Sequence, residues 1–275
     1  MRLGSDPEVF LQNQGKFMAV CGLLNGHDKW NPMQVPDMPE GFTFQEDNVA
    51  VEFGIPPAAS AKEFVNHIQA VQKKFLEQHK NLTFSNLSCV VFPDEEMKHP
   101  AAHIFGCEPD FNAWNGHMNK KPSPPVPNMR SAGGHVHIET TLNKRHVIQA
   151  CDLFLGVPSV LMDMGPKPTA NEIQFSRREL YGKAGCFRPK SYGVEYRTLS
   201  NFWIFKKKHI EWVWRNTARA LKFVEQLNKQ NFTENHHDLT VKDLMLLGNS
   251  IRQAINKNDK QMAEQLIFDY NLEIV

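Results

Sequence analysis

Gly133-Gly134-His135-Val136-His137-Ile138-Glu139 and Gly193-Val194-Glu195-Tyr196-Arg197 both alternate polar and apolar residues with a period of two. In a β-strand such alternation sends successive side chains to opposite faces. His135, His137 and Glu139 therefore share one face, and Val136 and Ile138 the other. In the second segment Glu195 and Arg197 share a face, opposite Val194 and Tyr196. Two imidazoles and a carboxylate on one face form half of a metal or phosphate site, although a solvated strand with incidental histidines gives the same pattern. A carboxylate beside a guanidinium suits a metal-bound polyphosphate, the acid holding the cation and the arginine the phosphate oxygens. A cross-strand ion pair is the simpler reading of that pair taken alone. The Gly133-Gly134 step lets backbone or ligand approach closely.

Further acids recur in strand-like settings. In Val49-Ala50-Val51-Glu52-Phe53-Gly54 the apolar residues Val49, Val51 and Phe53 share a face, leaving Glu52 between the small residues Ala50 and Gly54. In Gly4-Ser5-Asp6-Pro7-Glu8-Val9-Phe10, Asp6 and Glu8 lie two apart at the mouth of the first strand, where an exposed acidic turn is the simple alternative. The run from Arg177 to Lys190 holds five basic side chains, Arg177, Arg178, Lys183, Arg188 and Lys190, and two glycines. A basic, glycine-containing loop suits phosphate. Oxygen donors dominate this set and no cysteines are paired, so Mg²⁺ or Mn²⁺ fits better than structural zinc. A crowd of acids on one sheet repels itself without a cation, and together the residues favour a polyphosphate-metal site.

Around these strands the pattern divides into two kinds. The first half reads as short strands, Val9 to Leu11, Lys16 to Val20, Val49 to Ile55 and Ser88 to Phe92, with a turn at Gln12-Asn13-Gln14-Gly15. Residues 22–41, rich in Pro, Gly and Asn, read as a loop over a site. Ser60 and Glu63 have capping-box spacing ahead of Phe64, Ile68, Val71 and Phe75, which predicts a helix packed on the sheet. A second helix is expected from about Lys144 to Leu155. From about Ile204 the pattern is helical, with Ile210, Val213, Trp214, Thr217, Leu221, Val224 and Leu227 forming one stripe and Thr240 with Asp243 starting a shorter helix. The proline-rich stretch 120–130 reads as a stiff loop within a single domain spanning 1–275, of which 204–275 is the helical part.

Composition narrows the function classes. The chain has 275 residues with 31 Lys+Arg against 30 Asp+Glu, so no broad positive field exists to gather nucleic acid or a membrane surface. No apolar run reaches the about 20 residues a bilayer span needs. Five scattered cysteines without a Cys-x-x-Cys pair read as reduced thiols, and a cytoplasmic protein is expected. Walker A, GxGxxG, HExxH and G-x-S-x-G patterns do not occur.

The ordered set Gly4-Ser5-Asp6-Pro7-Glu8-Val9-Phe10, Val51-Glu52-Phe53, Ser131 to Ile138, Tyr181-Gly182-Lys183-Ala184-Gly185 to Arg188, and Gly193 to Ser200 resembles the sheet motifs of the glutamine-synthetase-like carboxylate-amine ligases, most closely the phage-type amidoligases of the second group. The resemblance implies an α+β fold: a curved, mainly antiparallel sheet forming a funnel, flanked by helices and followed by a helical C-terminal part. It implies an ATP- and Mg²⁺-dependent (or Mn²⁺-dependent) ligase joining a small-molecule or peptide carboxylate to an amine through an acyl phosphate. On this basis Asp6, Glu8, Glu52, His135 and Glu195 match the metal ligands, and His137, Arg177, Arg178, Lys183 and Arg188 the ATP-binding residues. Arg197, with Glu195 and Glu52, matches the catalytic set. The amine must lose a proton, for which Asp47 or Glu139 is the expected acceptor. If the chain is phage-encoded, the host cytoplasm is its expected location; related synthetases form rings, so a homo-oligomer is within the same implication. Two alternatives stand beside it: a nucleotide-free, metal-dependent oxygenase or hydrolase using the His-x-His strand, and an inactive relative that only binds.

Overall fold

The computed structural model of the chain describes residues 1–104, 110–120, 123–163, 177–230 and 241–275. Cys107, Pro122 and the expected cap Thr240 lie outside the described residues. A nine-stranded sheet runs in the order Phe111–Asn112, Cys186–Lys190, Gly193–Tyr196, Val136–Glu139, Leu3–Ser5, Ala50–Ala58, Thr43–Asp47 and Met33–Gln34, with Glu8–Val9 also pairing Ala50–Ala58. Every pairing in it is antiparallel. The register brings His137 opposite Glu195, and Glu195 opposite Arg188 on its other side. Three charged residues thus form one row across three strands.

Strand chemistry follows the period-two reading. Val136, Ile138, Val194 and Tyr196 are buried in the main core with Phe44, Val51 and Phe53 from the far strands. Helix Ala61–Gln78 covers that face. The cap forms, with Glu63 N–H donating to Ser60 Oγ at 3.2 Å, while the Glu63 carboxylate reaches past the cap to accept from Ala59 N–H at 2.6 Å. Phe64, Val65, Ile68, Val71 and Phe75 are its buried residues. Phe75 meets Phe44 and Phe53 edge-on at ring distances of 5.2 and 5.6 Å, an arrangement that aromatic quadrupoles favour.

The turn at Gln14-Gly15 closes the hairpin Leu11–Asn13 with Lys16–Met18, both turn residues having positive φ. Strand Cys89–Val91 pairs with Met129–Ser131, at the end of the proline-rich stretch. The expected helix at Lys144 departs from simple α geometry. It runs as α-helix over Lys144–Cys151, passes through a π-helical turn at Asp152–Gly156, and resumes over Val157–Met162. The C-terminal part is helical as expected, with Lys207–Gln230, Val241–Asn256 and Lys260–Asp269. A second buried cluster joins these last helices to Trp114, Leu153, Val157 and Val160.

Candidate functional site

With helices on one face, the polar residues of the sheet gather on the other. They line an open pocket of about 320 Å³ that includes Asp6, Glu8, Gln45, Asp47, Glu52, His135, Arg177, Arg188, Lys190 and Arg197. The first strand and the Gly-Gly segment are tied together to build it. Ser5 Oγ donates to the His135 carbonyl at 2.6 Å, and Gly133 N–H donates to Glu8 Oε2 at 2.6 Å. A Cβ on Gly133 would overlap the His135 ring and crowd Arg177, so the glycine is required by close packing of the site itself.

Asp6 stands between the two histidines. Its Oδ1 is 3.2 Å from His135 Nδ1 and 3.1 Å from His137 Nε2. Burial alone would raise the Asp6 carboxyl, but His137 and His135 outweigh it and hold it well below the usual carboxylate range. The histidines respond differently. Burial, joined by the Arg197 charge, lowers His135; burial opposes the rise of His137, yet contact with Asp6 prevails and raises it.

Glu195 is fully buried and surrounded by cations. Arg197 Nη1 donates to its Oε1, Arg188 Nη1 lies 3.4 Å from the same oxygen, and Lys190 Nζ lies 3.0 Å from Oε2. Burial and Asp6 push this carboxyl up, but Arg197, His135 and Arg188 leave it lowered overall. On the far side Glu8, Asp47 and Glu52 form a purely acidic group. Burial raises Glu52 well above its ordinary value, and the charges of Asp6, Asp47 and Glu8 push the same way. Asp47 and Glu8 are raised as well, again chiefly by burial.

Two sets of side chains offer ligand atoms within 4.8 Å of one another: Asp6 with His137 and Glu195, and Glu8 with Asp47 and Glu52. In the first set Asp6 Oδ1 lies against His137 Nε2 at 3.1 Å and Glu195 Oε2 against Lys190 Nζ at 3.0 Å, and Asp6 Oδ1, His137 Nε2 and Glu195 Oε2 are all buried. Buried polar atoms that converge in this way suit a cation, and oxygen-rich donor sets suit Mg²⁺ or Mn²⁺. The residues present fit such ions.

The structure places the expected site residues in different surroundings. His137, expected near nucleotide, belongs to the first cation set, and its Nδ1 lies 2.7 Å from Tyr192 Oη; with Nε2 left to face a cation, Nδ1 carries the proton and donates to that hydroxyl. His135, expected as a metal ligand, has Arg197 Nη1 3.3 Å from Nδ1 and Arg177 Nη2 3.5 Å from Nε2, so both nitrogens face guanidinium groups. That crowding also disfavours a His-x-His metal centre of the oxygenase kind. Arg178 turns away from the pocket: its guanidinium donates to Ser159 Oγ at 2.7 Å and Asn258 Oδ1 at 2.8 Å, and it serves packing of the helical part. Lys183 is exposed and outside the pocket lining, and so is Glu139 at the end of its strand. Asp47 does line the pocket. Arg177 also lines it, and its Nη1 donates to the carbonyls of Arg197 and Thr198 at 3.4 and 3.3 Å.

Sequence reasoning missed the strand Thr43–Asp47 and left Lys190 out of the site. Each carried a period-two signal: Gln45 with Asp47, and Arg188 with Lys190. Loop 22–41 does reach the site, with Lys29 and Trp30 at the pocket mouth and the Lys29 ammonium 4.7 Å from the Trp30 ring centre. Glu46 holds the loop base, accepting from Gly22 N–H at 2.9 Å and Leu24 N–H at 2.7 Å.

The fold and pocket together define a mixed α/β protein whose antiparallel sheet carries a charge-dense site of convergent acids and arginines. The family model of the phage phiEco32-like COOH·NH2 ligases, type 2, matches residues 123–261, just over half of the chain, and the chain belongs to this carboxylate-amine ligase family. No curated protein matches it. The match contains His135, His137, Glu195 and Arg197, whereas Asp6, Glu8, Asp47 and Glu52 precede it and join the site through strand pairing. Among the described residues no helix is long and apolar enough to cross a membrane.

Proposed function

We propose that this ligase uses ATP and divalent cations to activate a carboxylate as its acyl phosphate, which an amine then converts to an amide. The observation that carries the reading is that Asp6, Glu8, Asp47 and Glu52 line one pocket with Arg188, Lys190, Arg177 and Arg197, while His137 and Glu195 bring ligand atoms within 4.8 Å of that of Asp6. A carboxylate is a poor electrophile because its leaving group would be oxide. Transfer of the γ-phosphoryl group to a carboxylate oxygen, with departure of ADP, replaces that leaving group by phosphate. The amine nitrogen then bonds to the acyl carbon, the C–O bond to phosphate breaks, and the amine loses a proton.

The chain's own residues match these demands. Arg188, Lys190 and Arg197 present donors to phosphoryl oxygens, and the fully buried Glu195 fixes all three. Asp6 with His137 and Glu195, and Glu8 with Asp47 and Glu52, would hold Mg²⁺ or Mn²⁺, which neutralises charge on a polyphosphate when bound. Of the two expected proton acceptors Asp47 lines the pocket and Glu139 does not, so Asp47 would take the amine proton where Glu8 and Glu52 hold the cation without it. The funnel form of the sheet, a single catalytic domain and small-molecule or peptide substrates belong to this same reading.

Hydroxylamine tests it, since it intercepts acyl phosphates as hydroxamates. Incubation with ATP, Mg²⁺, hydroxylamine and a panel of carboxylates should release ADP and hydroxamate in equal amounts for at least one acid, and EDTA should stop both. Calorimetric titration with ATP should show binding only when Mg²⁺ is present. Binding of Fe²⁺ or another transition metal with no nucleotide binding would instead favour the oxygenase or hydrolase alternative.

A further inference from the structure

Asp152 lies behind the site, on the helical side of the strand that carries Glu195 and Arg197. It is fully buried in the π-helical turn Asp152–Gly156, and outside every residue set assigned above. Its Oδ1 accepts from Tyr196 Oη at 2.9 Å and faces Thr198 Oγ1 at 3.2 Å, whose one proton is shared with the Lys183 carbonyl at 3.1 Å; its Oδ2 accepts from Trp114 Nε1 at 2.7 Å. Tyr196 and Thr198 are the two residues flanking Arg197, and they point to the face opposite Glu195 and Arg197. Two side chains spaced one strand repeat apart are therefore drawn to a single oxygen.

We propose that Asp152 is a positioning residue that, through Tyr196 and Thr198, fixes the direction in which Arg197 enters the pocket from its bond to the buried Glu195. This rests on the ligase reading of that pocket. The need for such a clamp is local. Strand Gly193–Tyr196 ends before Arg197, whose own N–H donates to the Cys186 carbonyl at 3.0 Å, after which the chain turns toward the bridge of Ser200 with Gly133. At this strand end the ladder restrains the backbone least, while Arg197 must hold a fixed fork toward Glu195 and ligand. The π-turn supplies the reach. An inserted residue in a helix shifts the following side chains around its axis, and such turns recur at functional sites. Gly156 in the same turn gives the Tyr196 hydroxyl its space, since a Cβ there would come within 2.8 Å of that oxygen and 2.6 Å of Ile255 Cδ1. Trp114 extends the support to the C-terminal helices, because Gly248 lies against its ring.

The test uses Thr198→Val, which keeps shape and removes one arm of the clamp, together with Asp152→Asn and Asp152→Leu. Asn is the rescuing variant: its oxygen accepts from Trp114 while the hydroxyls turn to accept from its amide. Thr198→Val should keep its melting temperature within a few degrees of wild type, lower kcat about tenfold, and leave the KM for ATP within about twofold. In an Arg197→Lys background the same substitution should have no further effect on kcat. Asp152→Asn should retain more activity than Asp152→Leu. An equal loss of kcat from Thr198→Val in both backgrounds would make the role general packing and overturn the proposal. The side-chain Nε–Hε NMR signal of Arg197, assigned by its loss in Arg197→Lys, gives a readout that needs no turnover. It should move in Thr198→Val, and an unmoved signal also overturns the clamp. Absence of turnover in the wild-type enzyme alongside a moved signal would overturn the ligase reading and leave the clamp standing.

Discussion

Glu8 and Glu52 are direct cross-strand partners in adjacent antiparallel strands. Like charges in that relation destabilise a sheet by about 0.2–1 kcal/mol. Asp47 belongs to the same group, and the Glu52 carboxyl is raised well above its ordinary value. The arrangement stores repulsion that a cation would relieve.

Glu52→Gln should therefore stabilise the protein in EDTA. Glu52 has a raised folded pKa, so its contribution is best at low pH and is lost as pH rises through its folded value. The gain should be larger at alkaline than at acidic pH, with a shift of about 1–4 °C in melting temperature. The variant should in exchange lose the stabilisation that Mg²⁺ or Mn²⁺ gives the wild type. Thermal melts with and without metal in acidic and alkaline buffer check this; a variant that melts lower than wild type in EDTA at alkaline pH refutes it.

Glu195→Gln is expected to remove turnover, by about 100-fold or more, because Arg197, Arg188 and Lys190 lose their common anion. Arg197→Lys should also be harmful, since a point charge cannot replace a two-pronged donor. Steady-state kinetics on folded protein decides both, and wild-type rates in either variant would remove that residue from the site.

Lys183→Ala should leave kcat and KM within about twofold of wild type, because an exposed side chain outside the pocket contributes little. Arg178→Ala should act on stability instead. It leaves the buried Ser159 oxygen without its donor, a loss of about 1–3 kcal/mol, visible in urea unfolding, whereas the exposed Asn258 finds water instead. A large kinetic defect in Lys183→Ala would return that residue to the phosphate-binding set.

Burial pushes the Asp152 carboxyl from 3.8 up to about 7, against the opposing pull of Trp114, Tyr196 and Thr198. A raised acid stabilises the fold below its unfolded value and loses that contribution as pH climbs to the folded one. At about 1.4 kcal/mol per unit, the ceiling is roughly 4 kcal/mol between pH 4 and pH 7. Comparison of wild type with Asp152→Asn across this range should show the variant with the flatter stability profile, and parallel profiles would contradict the shift.

Much of the site was legible because strands write their faces into the sequence. The period of two alone put His135 with His137 and Glu195 with Arg197, and pairing then set His137 against Glu195. Glu139 obeyed the same period yet fell outside the pocket, because the strand end carries it to the exposed rim. The Arg177 to Lys190 segment shows the limit of composition. Its five cations read as one phosphate loop, but the short helix Arg177–Leu180 sends Arg177 toward His135 and Arg178 toward Ser159.

The sequence by itself determined the local elements: the capped helix after Ser60, the turn at Gln14-Gly15, the alternating strands and the helical stripe beyond Ile204. These depend on neighbours within a few residues, whose side-chain period and turn chemistry are written in order along the chain. Tertiary structure alone decided that Glu8, Asp47 and Glu52 form one group, that His137 joins Asp6 and Glu195, and that Asp152 reaches Tyr196 and Thr198. Those contacts join residues far apart in the chain, and their distances are set by strand register, by the π-turn and by packing of the whole core, none of which a local pattern encodes.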